Sequence, residues 1–301
     1  MSAQQQIRER ITAEIVAALE RGDTPPWRRP WRTSGPPVNA VTGRRYSGVN
    51  VLLLRLHQQR LGLQSNRYAT FNQWHELGCR VKVRPADVAP GRWGCNVVFC
   101  KPVQKARDSD EDDGRAGEFL LLRNFTVFSL DQVEGEVADR FRAETLPERT
   151  EPSDFAPAEL AIAATGADIR HGGDRAFYRK PDSGGDGDFI MVPHKGRFDT
   201  DAEYYETVMH ELGHWSEIRV GWQGSYAEGE LRAEMTACFA MSELGVPHGD
   251  RANCTAYLAS WLQPLRADPR FIFRVTADAS RATSFLLSFS SQSQPHEADA
   301  A

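Results

Sequence analysis

Ile7, Ile11, Ile15 and Leu19 recur at every fourth position in a stretch otherwise made mostly of Gln, Arg, Glu and Ala. That spacing predicts an amphipathic helix ending at Gly22. A denser apolar run, VNVLLLRLHQQRL at 49–61, predicts a second helix stopped by Gly62. The period then changes. Residues 81–83, 96–100 and 118–129 are rich in β-branched and aromatic side chains and predict strands. Between the last two, RDSDEDDGRAG predicts a solvated hairpin tip, and it lacks the glutamate that would close a calcium loop begun at Asp108. Residues 133–157 are polar with prolines near their end, and 136–157 are expected to be a linker, with a helical part or a path across a domain surface as the alternative. Beyond it come a helix near 158–166, strand-like pieces at 175–179 and 189–193, and helices at 201–220, 226–245, 251–267 and 275–287. Residues 289–301 have the composition of a disordered tail. There is no internal repeat.

Charge is also divided unevenly along the chain. Residues 1–107 hold 18 Lys/Arg against 6 Asp/Glu, and residues 108–301 hold 18 against 35, so a net of −5 conceals halves of +12 and −17. The front is built to meet a polyanion; the rear is not. No run of eighteen apolar residues occurs, so no membrane-spanning helix and no membrane partner is expected. The N-terminus does not read as a secretory signal, and five irregularly spaced cysteines read as reduced thiols, so a cytoplasmic location is expected. His75, Cys79, Cys95 and Cys100 can be drawn as a zinc site, but without a CxxC pair ordinary buried thiols are the better reading.

In the rear half, TVMHELGHWS places His210 and His214 four residues apart, on one face of a predicted helix, with Glu211 between them. Two imidazoles at that spacing hold one zinc, and the glutamate serves as general base to a bound water. Tyr205, Val208, Met209 and Leu212 give that helix a buried face. The next helix opens on a capping box, Ser225 to Glu228. On it Glu234 lies at the edge of the apolar face of Leu231, Met235, Cys238, Phe239 and Ser242. A carboxylate there needs a partner, so Glu234 is the expected third ligand and Glu230, one turn earlier, the second choice. Zinc is the expected ion, with manganese and cobalt also suited to the donor set. Tyr226, His194 and His248 are candidate oxyanion stabilisers.

In the front half, Trp27, Arg28, Arg29, Trp31, Arg32, Arg44, Arg45 and Tyr46 interleave cations with aromatic rings across a proline-rich loop. Single-stranded nucleic acid is bound by such surfaces, arginines tracking phosphates while rings stack on unpaired bases. Single-stranded DNA is the expected partner, with duplex DNA bound more weakly. Phe71 and Trp74 are expected in the core.

PWRRPW, PVNAVTGRRYSGVN, FTVFSLDQVEG, YYETVMHELGHW and YAEGELRAEMTACFAMSELGV resemble the plasmid antirestriction family ArdC, and the likeness runs from about residue 7 to 287. The resemblance implies a single-stranded-DNA-binding domain coupled to a zincin-like, SprT-type metallopeptidase domain, serving to protect DNA entering by conjugation from host restriction. It carries His210, Glu211 and His214 over as motif residues and retains both Glu230 and Glu234, while Gly229 departs from the family's usual glutamate. The expected fold is therefore α+β in two domains, 1–135 binding DNA and 158–288 forming a mainly helical peptidase domain with a small sheet. Two rivals differ in purpose: a DNA-associated protease that cleaves DNA-bound proteins, and a non-enzymatic strand-coating protein with a relict metal site.

Overall fold

The computed structural model describes residues 3–21, 36–104, 118–144, 155–246 and 254–292. Helix α1 (Ala3–Glu20) buries Ile11, Ile15 and Leu19, as their spacing predicts. It lies against α8 (Cys254–Ala267) of the rear half, and the Thr12 hydroxyl donates to the Pro269 carbonyl at 3.0 Å. α2 (Val49–Leu61) is buried on every side from Val49 to Gln58. Its side chains pack on a four-stranded sheet ordered β1-β2-β5-β4. In it β1 (Val38–Asn39) runs parallel to β2 (Arg67–Thr70), and β5 (Glu118–Ser129) runs antiparallel to β2 and to β4 (Cys95–Gln104).

β4 and β5 form the expected long hairpin, with Cys95 opposite Val127 and Gln104 opposite Glu118; its acidic tip lies outside the described residues. β4 is an edge strand, and Asn50 of α2 occupies that edge. Its amide donates to the Val98 carbonyl at 2.7 Å and accepts from the Val98 N–H at 2.8 Å, supplying bonds a further strand would make. The strand expected at 81–83 shrinks to β3 (Arg80–Val81), paired with β6 (Val133–Glu134), and Val83 is exposed. Trp74 of α3 (Phe71–Glu76) anchors a separate small core with Cys79, Leu130, Val133 and Ala138. Ala138 belongs to α4 (Glu136–Glu144), so the first nine residues of the expected linker are a helix packed on the front half. Residues 145–154 lie outside the described residues.

The rear half begins at α5 (Ala156–Ala164). A three-stranded sheet follows, ordered β7-β9-β8, in which β9 (Phe189–Val192) runs parallel to β7 (Asp168–His171) and antiparallel to β8 (Phe177–Arg179). β7 gave no hydrophobic signal because three of its four residues are exposed. Helices α6 (Asp201–Arg219), α7 (Tyr226–Glu243) and α9 (Phe271–Gln292) complete it, α9 running four residues into the expected tail.

The two halves do not sit apart like beads. Leu231, Met235, Cys238 and Phe239 of α7, with Trp261 and Leu265 of α8, join Leu52, Leu54, Val97 and Val127 of the front in one continuous cluster. The Gly48 N–H donates to the Ser280 hydroxyl at 3.0 Å, and Arg45 is ion-paired with Glu243.

Candidate metal centre and nucleic-acid face

α6 starts at a capping box of Thr200 and Glu203, and α7 at the predicted box of Ser225 and Glu228. The two helices come close together at Gly213, where an added Cβ would stand 2.9 Å from the Ala233 Cα. Glycine is what allows that crossing, and the crossing decides which turn of α7 faces the two histidines. The fully buried Arg232 holds the same register, donating to the Gly213 carbonyl and the Ser216 hydroxyl, each at 2.8 Å.

At that register Glu230 faces both rings. Its Oε2 is 3.7 Å from His210 Nε2 and its Oε1 is 3.5 Å from His214 Nε2. Two donors each about 2.1 Å from a tetrahedral ion lie about 3.4 Å apart, so these three side chains fit a divalent metal. Glu234 lies behind the first ring, its Oε2 3.7 Å from His210 Nδ1, among a second buried group with Glu206 and Cys238. The geometry therefore brings His210, His214 and Glu230 together and sets Glu234 on the far side of one imidazole. The sequence signal for Glu230 was its i, i+4 relation to Glu234; what could not be read was the Gly213–Ala233 register that chooses between them.

Glu211 is 7% exposed beside this group. Burial raises its pKa above the ordinary carboxylate value, partly offset by His210 and His214, and it accepts the backbone N–H of Tyr178 from the edge strand β8. Burial also opposes charge on His210, but the carboxylates of Glu230 and Glu234, each 3.7 Å from a ring nitrogen, outweigh it and lift its pKa to about 9. The residues open onto a cleft of about 910 Å³ walled by Tyr178, Lys180, Trp222, Tyr226 and Trp261. Tyr226 is 79% exposed and hydrogen-bonds Glu230. His194 does not line this cleft but stacks on His171, and His248 lies outside the described residues.

In the front half, Trp27, Arg28, Arg29, Trp31 and Arg32 lie outside the described residues. Arg44 is exposed, on a tight turn whose amides at Val41 and Thr42 donate to the Asn39 side chain. Arg45 is half-exposed and engaged by Glu243. Tyr46, expected to face nucleic acid, is 7% exposed and packed in the core with α2. Phe71 reverses the other way: Trp74 is buried as expected, but Phe71 is 54% exposed and stacked on His75. The hairpin adds an aromatic face that the sequence did not single out. Phe99 and Phe125 are 49% and 41% exposed, edge-to-face at 5.4 Å, with the exposed Arg123 directly across from Phe99. The drawable cysteine site does not assemble. Cys79 and Cys95 sit in different cores, and burial pushes the Cys95 thiol up to about 12.

Residues 5–128 match the N-terminal domain of the anti-restriction factor ArdC, and residues 156–278 match a zincin-like metallopeptidase domain. The chain is 32% identical to the uncharacterized protein y4eC of Sinorhizobium fredii, over 97% of this chain and 94% of that one. It is 33% identical to the DNA primase TraC of Escherichia coli over 93% of its own length, but spans only 27% of that primase. The crystal structure of the antirestriction ArdC protein from plasmid R388 superposes with a TM-score of 0.71 at 31% identity in its metal-free form, covering 96% of this chain and 99% of that one. Its Mn(II)-bound form superposes equally, at 30% identity over 95% and 99%. Both halves thus match in the same order along almost the whole length, and the chain belongs to the ArdC family of antirestriction proteins, with a zincin-like metallopeptidase domain behind an ArdC N-terminal domain.

Proposed function

We propose that this chain protects incoming DNA from restriction by binding it as a single strand through its front domain, and that its rear domain holds one divalent metal and hydrolyses peptide bonds. The observation that carries the second half is the convergence of His210 Nε2, His214 Nε2 and the Glu230 carboxylate beside a buried Glu211. Glu230 takes the ligand place first expected for Glu234. The Mn(II)-bound relative supports a metal here, and zinc, manganese and cobalt all suit two imidazoles and a carboxylate. When bound, the ion supplies Lewis acidity toward a peptide carbonyl. Glu211 takes the proton of the attacking water, a task suited to a carboxylate whose affinity for protons is raised by burial. Tyr226 lines the cleft and donates its one hydroxyl proton to Glu230, so it serves the carbonyl oxygen only once it has left that carboxylate.

Strand binding is supported by the +12 charge of residues 1–107 and by the exposed rings of Phe99 and Phe125 beside Arg123, a combination that favours unpaired bases over duplex. Protection requires occupancy along the strand, which the front domain supplies without cleaving anything. Metal titration of the purified chain tests the centre. Glu230→Ala loses the stoichiometric ion and Glu234→Ala keeps it; the reverse result moves the third ligand one helical turn.

A further inference from the structure

We infer that Glu217 is a positioning residue of the metal centre: it fixes the tautomer of His214, and Lys180 holds it in place from the rim of the cleft. This rests on the proposed ligand set of His210, His214 and Glu230. Glu217 follows His214 by one turn of α6 and is 3% exposed. Its Oε1 lies 2.8 Å from His214 Nδ1. An ionised carboxylate only accepts, so the imidazole proton sits on Nδ1 and the lone pair sits on Nε2, the atom 3.5 Å from Glu230. A metal ligand needs that arrangement, and a carboxylate behind the ring also makes the imidazole a stronger donor.

The other oxygen of Glu217 is held by Lys180 Nζ at 2.8 Å. Lys180 directly follows β8, whose Tyr178 N–H bonds Glu211. Two residues of the cleft rim, Tyr178 and Lys180, thus touch the general base and, through Glu217, a metal ligand. α7 leaves room for this. A Cβ on Gly229 would stand 3.3 Å from Glu217 Oε1, so any larger residue there crowds the carboxylate. The plain alternative is an ion pair that serves only the fold. Lys180 is mostly exposed, and a pair open to water on one side contributes little stability, so the two readings separate cleanly.

The experiment titrates Mn(II) and Zn(II) alone into the metal-free full-length chain against a chromophoric chelator. Glu217→Gln should weaken binding by about 10–100-fold, as loss of such partners does, with the thermal midpoint of the metal-free chain nearly unchanged. Lys180→Met should weaken it less. Nitrogen-15 spectra of the metal-free wild type at pH 8 should show His214 protonated on Nδ1. Affinity within about twofold of wild type in Glu217→Gln, or a His214 protonated on Nε2, overturns the inference. Where Glu217→Ala does not fold, Glu217→Gln and the spectrum decide. His214→Ala binding metal as well as wild type would sink the ligand set instead, and the spectrum would still report on Glu217.

Discussion

His57 is one more polar position on α2 in the sequence, yet it is fully buried. Arg60 can only donate, and its Nη2 lies 3.1 Å from His57 Nδ1; the opposite nitrogen, Nε2, therefore carries the proton and donates to Gln132 Oε1 at 3.2 Å. Burial, more than these bonds, sets its titration, and the pKa falls to about 4. An unfolded chain binds that proton near pH 6.5, so its contribution to stability is complete above 6.5 and is lost as pH falls toward 4. On the order of 2–3 kcal/mol is at stake. Urea unfolding at pH 7 and pH 4.5 should show the loss, and His57→Gln should remove most of the difference. Gly213 is the other residue whose role is clear only in three dimensions. Gly213→Ala forces α6 off α7 and should cost about 1–3 kcal/mol, read as a lower unfolding midpoint, with weaker metal binding because Glu230 leaves its register. A variant as stable as wild type would show that the crossing does not need glycine.

At the scale of elements, periodicity told most where a face is buried. Ile11, Ile15 and Leu19 marked α1, and Ser225 with Glu228 marked the start of α7. His210, Glu211 and His214 could be grouped from the sequence because their spacing lies within one helix. That Glu230 rather than Glu234 stands before both rings could not be read, since that placement depends on how two helices cross. β7 and β1 were missed for a related reason: short strands with few buried positions have no alternation to read. Tyr46 and Phe71 exchanged places because composition reports which residue types are present, not which side of a turn they face. The β4–β5 hairpin leads to a prediction of its own. Its inner face is buried at Cys95, Val97 and Val127, then carries Phe99 and Phe125 past the end of the core into solvent. Replacing both phenylalanines by Ala should weaken binding to single-stranded DNA by about 1–3 kcal/mol per stacked base and leave the unfolding midpoint nearly intact. A fluorescence titration with a labelled oligonucleotide measures this, and unchanged affinity removes the hairpin from the DNA-binding face.

For the whole molecule, the continuous core that joins α1, α2 and β4 to α7, α8 and α9 means that neither half buries its apolar surface alone. The intact chain should unfold in one cooperative transition, with separate transitions for the two halves contradicting this. A fragment beginning at residue 156 should expose the α7–α8 face and aggregate. The halves nevertheless divide the work. The acidic rear domain is repelled by DNA unless the basic front domain holds it there, so the proposed function assigns occupancy of the strand to the front and hydrolysis to Glu211. A restriction-protection assay in recipient cells separates them, with metal content and single-stranded DNA affinity of each variant checked in parallel. Glu211→Gln should retain most of the protection, while removing the charges of Arg28, Arg29, Arg44 and Arg45 together should abolish it. If Glu211→Gln folds, binds metal and binds DNA as wild type does, yet no longer protects, then peptide cleavage is the mechanism and strand binding only delivers it.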